Sequence, residues 1–174
     1  KDEVLKDDGN PYKVYSPYMR TWKKQLTDYQ LKSYPVNKYF SNLRGTDDCQ
    51  VVITLEDMGF TTKQNVEFPS REVNDATIKA YHEKRDIPGI KGTTRMSVHL
   101  RFGTISIREL ARKASKNEKY LNELIWRDFY QMIIYHFPES ATEAFKKKYD
   151  NIPWENNEEQ FKAWCEGKTG YPIV

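Results

Sequence analysis

The stretch NEKYLNELIWRDFYQMIIYH, Asn117 to His136, decides the fold. Leu121, Leu124, Ile125, Phe129, Met132 and Ile133 recur at helical spacing and supply one apolar face. Glu123, Trp126, Arg127 and Tyr130 stand at i, i+3, i+4 and i+7, so they share a second face. Phe137-Pro138 ends the helix, because the residue before proline is pushed out of the helical region. The second face mixes a carboxylate, an indole, a guanidinium and a phenol. An indole can stack on a base, Arg can pair with phosphate, and Glu can accept from ring N–H groups. The ordinary alternative is a Glu123–Arg127 ion pair with Trp126 in the core. The residues of this helix alone leave both open.

Working outward, the chain changes character near residue 70. Helical spacing before it is confined to Met19–Tyr29, through Met19, Trp22, Leu26 and Tyr29. Val14-Tyr15 and Val51-Val52-Ile53 make at most short strands. Residues 30–72, broken by Pro35, Gly45, Gly59 and Pro69, read as an irregular connector. After it, helices are expected over 72–85, Thr94–Phe102, from the capping box Ser106–Glu109 to Ser115, over Asn117–His136, over Glu143–Tyr149 behind a Ser140 cap, and over Asn157–Cys165 up to Gly167. The expected fold is therefore mainly α, with division into residues 1–70 and 71–174.

Composition narrows the class without deciding it. The 174 residues include 30% charged and 14% aromatic side chains, with 12 Tyr and 4 Trp, and a net charge of +3. Such a balance permits nucleic acid but does not demand it. Cys49 and Cys165 are far apart, with no metal-ligand spacing, and read as reduced thiols of a cytoplasmic protein. No apolar run is long enough for a membrane helix. His82, His99 and His136 show neither triad nor metal spacing, so a structural role and no metal are expected. The opening at Lys1 without an initiator Met, and the end at Val174, are read as cuts in a longer protein.

The loop before the Thr94–Phe102 helix joins Gly92, two threonines, Arg95 and Ser97 to a helix start. Backbone N–H groups and hydroxyls in that arrangement can cradle phosphate. A plain N-cap by Thr93 or Thr94 is the ordinary alternative.

Taken together, RDIPGIKGTTRMS at 85–97, NELIWRDFY at 122–130 and WCEGKTGYPIV at 164–174 resemble the cryptochrome/photolyase family in order and spacing. The similarity is greatest to its class I cyclobutane pyrimidine dimer photolyases. PYKVYSPY at 11–18 resembles the end of that family's N-terminal α/β domain. The resemblance implies that residues 71–174 are the N-terminal half of a helical FAD-binding domain, preceded by the interdomain connector.

The family's roles carry over by matching motif. Tyr81, Thr93, Thr94, Arg95, Met96, Ser97 and Arg127 are implied FAD contacts. Arg85 is an implied DNA-backbone contact. The run Glu123, Leu124, Ile125, Trp126, Arg127, Asp128, Phe129 and Tyr130 is implied at damaged DNA, with Glu123 bonding the pyrimidines and Trp126 packing on the flipped-out dimer. Trp154 matches the surface end of an electron-transfer chain. Tyr120 stands where relatives often have Trp; Thr94 and Met96 stand where they often have Ser and Leu. The implied reaction is light-driven electron transfer from reduced FAD to the dimer. A folate or deazaflavin antenna chromophore is expected in a preceding domain, the parent protein is expected to be a monomer, and this piece alone is expected to bind FAD weakly or not at all. A cryptochrome photoreceptor, a (6-4) photolyase and a non-catalytic helical DNA-binding module, with Lys146–Lys148 on phosphates, are the alternatives.

Overall fold

The computed structural model describes residues 2–43, 45, 52–61 and 68–172. Among them there are helices and no strand. Cys49, Val51 and the last two residues of the closing motif lie outside the described residues. Packing divides the chain into two compact units, 1–132 and 133–174.

In the first unit, helix α1 spans Tyr15–Gln25. It starts a turn earlier than its apolar spacing implies, with Pro17 in the first turn, where a missing N–H costs nothing. Only Val14 stays extended, so no strand forms at Val14-Tyr15. The helix stops at Leu26 because Thr27 and Gln30 form a capping box that restarts the chain as α2, Asp28–Leu31. Val52 and Ile53, the described part of the other expected strand, are exposed and not in one.

The expected 72–85 helix is two: α3 (Asp75–Lys79), capped by the Asn74 side chain on the Ala76 amide, and α4 (Tyr81–Lys84). Asn117 accounts for the break. Its amide donates to the carbonyls of Ile78 (2.9 Å) and Lys79 (3.2 Å), while its Oδ1 accepts from the Tyr120 amide at 3.1 Å. One side chain thus satisfies the end of α3 and the start of the long helix.

α5 covers Ser97–Phe102 and ends on left-handed Gly103. α6, Ile107–Ala114, opens on Ser106, whose side chain accepts from the Glu109 amide. Both α2 and α3 pack on α6. Arg108 donates to the Gln30 carbonyl at 2.6 Å and Arg112 to that of Leu31, which places cations on the carbonyl end of α2. α7, Glu118–His136, is the long helix. All six residues of its expected apolar face are buried, and Ile125 is completely so. Such a side chain stabilises the fold by about 2–3 kcal/mol.

The second unit departs from expectation over 143–149. No α-helix forms there; short 3-10 turns occupy Pro138–Ala141 and Lys147–Tyr149. Ser140 does not cap a following helix but donates to the Phe137 carbonyl, and the Ala144 amide goes to the Asp150 carboxylate. Lys146 is extended. A side chain that satisfies the backbone locally competes with the helix ladder. α8, Glu158–Cys165, forms as its Asn157 cap and left-handed Gly167 imply. Cys165 is a free, exposed thiol. No helix among the described residues is long and apolar enough to cross a membrane.

Candidate flavin and substrate site

A cavity of about 660 Å³ opens on one flank of α7 within the first unit. The segment 92–97 forms one wall. Gly92 brings it there: a Cβ on this residue would lie 2.2 Å from the Lys84 carbonyl oxygen, so only glycine fits. Arg95 takes a left-handed backbone, φ 54°, which few side-chain-bearing residues adopt. Met96 is the N-cap of α5 without a side-chain cap, so neither Thr93 nor Thr94 caps its own helix. Thr94 instead shares a 2.9 Å hydrogen bond with the Tyr120 hydroxyl.

Tyr81, Thr93, Thr94, Arg95, Met96, Ser97 and Arg127 all line this one cavity. These are the residues matched to cofactor contacts by motif. The structure adds Leu100, Arg101 and Gln131 to the lining. Arg101 and Gln131 stand four residues after Ser97 and Arg127, a helical spacing that could have found them. Tyr81 and Tyr120 meet edge to face at 5.0 Å. Burial pushes both phenols up from their ordinary value, and the Glu123 charge adds to the rise at Tyr81.

Glu123 reaches the same cavity, but its partner is not Arg127. Arg85 from the end of α4 makes the ion pair, and also contacts Asp86 at 3.4 Å and lies over the Tyr81 ring. No ion pair joins Glu123 to Arg127 among the described residues, so that alternative fails. Arg95, Arg101 and Arg127 therefore leave the cavity with a surplus of positive charge.

The other flank of α7 is packed by aromatic rings from α1, beside a smaller cavity of about 200 Å³ lined by Trp22 and Asp128. Trp126 is half-buried, its ring parallel to that of Tyr15 at 3.5 Å and 5°, with Tyr130 at 5.4 Å and 24°. Asp128 is held by α1: its Oδ2 accepts from the Tyr18 hydroxyl (2.8 Å) and from Trp22 Nε1 (3.0 Å). Burial and that carboxylate push the Tyr18 phenol far up. Of the run matched to DNA contacts, Leu124, Ile125 and Phe129 are core residues and Asp128 is an anchor. Glu123 and Arg127 line the cavity, whereas Trp126 and Tyr130 stack on one another on the other flank, so the four do not form a single face. Trp154 lies in the second unit and is 70% exposed. His99 is structural, bridging Thr104 (2.8 Å) and the Pro69 carbonyl (2.9 Å).

Residues 120–174 match the family model described as the FAD binding domain of DNA photolyase. The chain is 32% identical to the deoxyribodipyrimidine photo-lyase of Synechococcus sp., an alignment covering 99% of this chain and 41% of that protein. With the Escherichia coli protein of the same name it shares 29% identity, over 98% of this chain and 40% of the relative. The Neurospora crassa protein of that name is 28% identical, over 95% and 32%.

Over nearly its whole length the chain is similar to photolyases. It spans about two fifths of the length of the bacterial relatives. The photolyase domain match begins at Tyr120 and so takes in the α7 wall of the cavity. The wall made by Tyr81 and the 93–97 segment lies before that match and is supplied by the longer similarity to whole photolyases.

Proposed function

We propose that this chain carries the flavin-facing and lesion-facing walls of a light-driven photolyase acting on cyclobutane pyrimidine dimers in DNA. The observation that carries the reading is the convergence of seven motif-matched residues on one cavity. Its volume falls in the usual range for cofactor pockets, roughly 300–1,000 Å³.

The lining fits FAD chemically. Arg95, Arg101 and Arg127 offset a pyrophosphate dianion, and Thr93, Thr94 and Ser97 offer hydroxyl donors beside it. Met96, Leu100, Leu124 and the two tyrosine rings give apolar and aromatic surface for flat ring systems. Reduced FAD, when bound, supplies the photoexcited electron that opens the cyclobutane ring. The protein's residues bind and orient. The Glu123 carboxylate accepts N–H hydrogen bonds from the pyrimidines, and Arg85 offsets its charge. Trp126 packs against the extruded dimer. Trp154, exposed to solvent, is assigned to electron entry. A folate or deazaflavin antenna, a monomeric state and a cytoplasmic location belong to the same reading.

The test has two arms. FAD titration followed by flavin fluorescence is expected to show weak binding, as the sequence implies for this piece alone, and it is expected to weaken further in Arg95→Ala. In the dark, an oligonucleotide with one cyclobutane dimer is expected to bind more tightly than its undamaged counterpart. Equal binding of both with a steep salt slope would instead support a DNA-binding module without repair activity. Preference for a (6-4) lesion would reassign the substrate.

A further inference from the structure

We infer that Tyr15 is a positioning residue for lesion recognition, acting through Trp126; this rests on the photolyase reading above. Tyr15 is the first residue of α1 and is separated from Trp126 by more than a hundred positions. Its ring lies parallel to the indole at 3.5 Å, and its hydroxyl donates to the Asn122 carbonyl at 3.0 Å. Asn122 is one turn before Trp126, so its carbonyl is the acceptor that helix geometry pairs with the Trp126 amide. Tyr15 is thus fixed at both ends to the same turn of α7. Phe129 meets Tyr15 edge-on at 5.8 Å and Trp126 edge-on at 5.7 Å, closing the cluster. Burial, with the Glu123 charge adding, pushes the Tyr15 phenol up to about 12, so it stays a neutral donor.

An indole at a binding face has rotamer freedom that a ligand must remove. Tyr15 removes it beforehand, with one ring flat on the indole and a hydroxyl that fixes the ring's own angle. Preorganisation of this kind raises discrimination between ligands that use the indole and those that do not. An aromatic pair contributes about 0.5–1.5 kcal/mol beyond its buried area, so the largest expected effect is roughly tenfold.

The experiment measures dark binding of dimer-containing and undamaged oligonucleotides by the full chain, and takes the ratio of the two affinities. Tyr15→Met keeps the apolar volume and removes the ring; the ratio is expected to fall about five- to tenfold. Tyr15→Phe keeps the ring and loses only the hydrogen bond; the ratio is expected within about twofold to threefold of wild type. Near-UV circular dichroism of Tyr15→Met should lose the same aromatic band that Trp126→Phe loses. An unchanged ratio in Tyr15→Met, with Trp126→Ala abolishing it, overturns the role of Tyr15 and leaves the photolyase reading intact. An unchanged ratio in Trp126→Ala sinks that reading itself and this role with it. If Tyr15→Met does not fold, Tyr15→Phe decides: a tenfold loss with the ring still present refutes positioning by stacking, and a near-wild-type ratio supports it.

Discussion

The two flanks of α7 use similar residue types to opposite ends. On one, the rings of Tyr15, Tyr18 and Trp22 reach the helix: Tyr15 donates to the Asn122 carbonyl and stacks on Trp126, and Tyr18 and Trp22 donate to Asp128. On the other, Tyr81 and Tyr120 meet edge to face, and three arginines line a cavity. A packed flank with paired polar groups contributes stability; an open one with unpaired charge keeps its binding energy for a ligand. The loop that builds the open flank is strained at Arg95 and wedged in by Gly92. Strain of this sort persists only where the surroundings hold it in place, and it gathers at ligand sites.

Breaking the packed flank should have the largest effect. Asp128→Ala leaves the Tyr18 hydroxyl and the Trp22 N–H without their acceptor, and a loss of roughly 2–5 kcal/mol in urea unfolding is expected. Next comes the open flank. Arg127→Ala should weaken FAD binding roughly tenfold to a hundredfold, the worth of a charge-assisted hydrogen bond, while stability shifts by less than about 1 kcal/mol. If Arg127→Ala unfolds the chain as readily as Asp128→Ala does, the two flanks do not differ in kind. The smallest effect concerns the pair Lys23–Glu118, 2.6 Å apart, which ties α1 to the first turn of α7. The Lys23 ammonium holds the Glu118 carboxyl below its ordinary 4.5. A carboxylate depressed in the folded state stabilises fully above its unfolded value and loses that contribution as pH falls through the folded one. Lys23→Met should therefore flatten the acid side of the stability profile below about pH 4.5, in low salt and less so in high salt. A profile identical to wild type would show the pair to be inert.

Much of this was legible in the residues. The α7 faces were readable because helical period and burial are local properties of a 20-residue window, and every expected core position is buried. The cap at Ser106 and the stop at Gly103 were readable for the same reason. The failures are also physical. Helical spacing over 72–85 carried no sign that Asn117 would take the carbonyls of Ile78 and Lys79. Over 143–149 the pattern was helical, yet Asp150 satisfied the Ala144 amide from outside it. Nor does the run of letters matched to DNA contacts carry the direction of each side chain, by which Asp128 bonds to α1 and Phe129 is buried.

By itself the sequence determined that the second half is mainly helical and which face of α7 is apolar. Those properties depend on spacing, capping and residue type over short distances. Only the tertiary structure decided that Arg85 rather than Arg127 pairs with Glu123, that Asp128 anchors α1, and that Tyr15 lies flat on Trp126. Each joins positions 38 to about 110 residues apart. Contacts at that separation are set by how helices pack, and no local pattern encodes them.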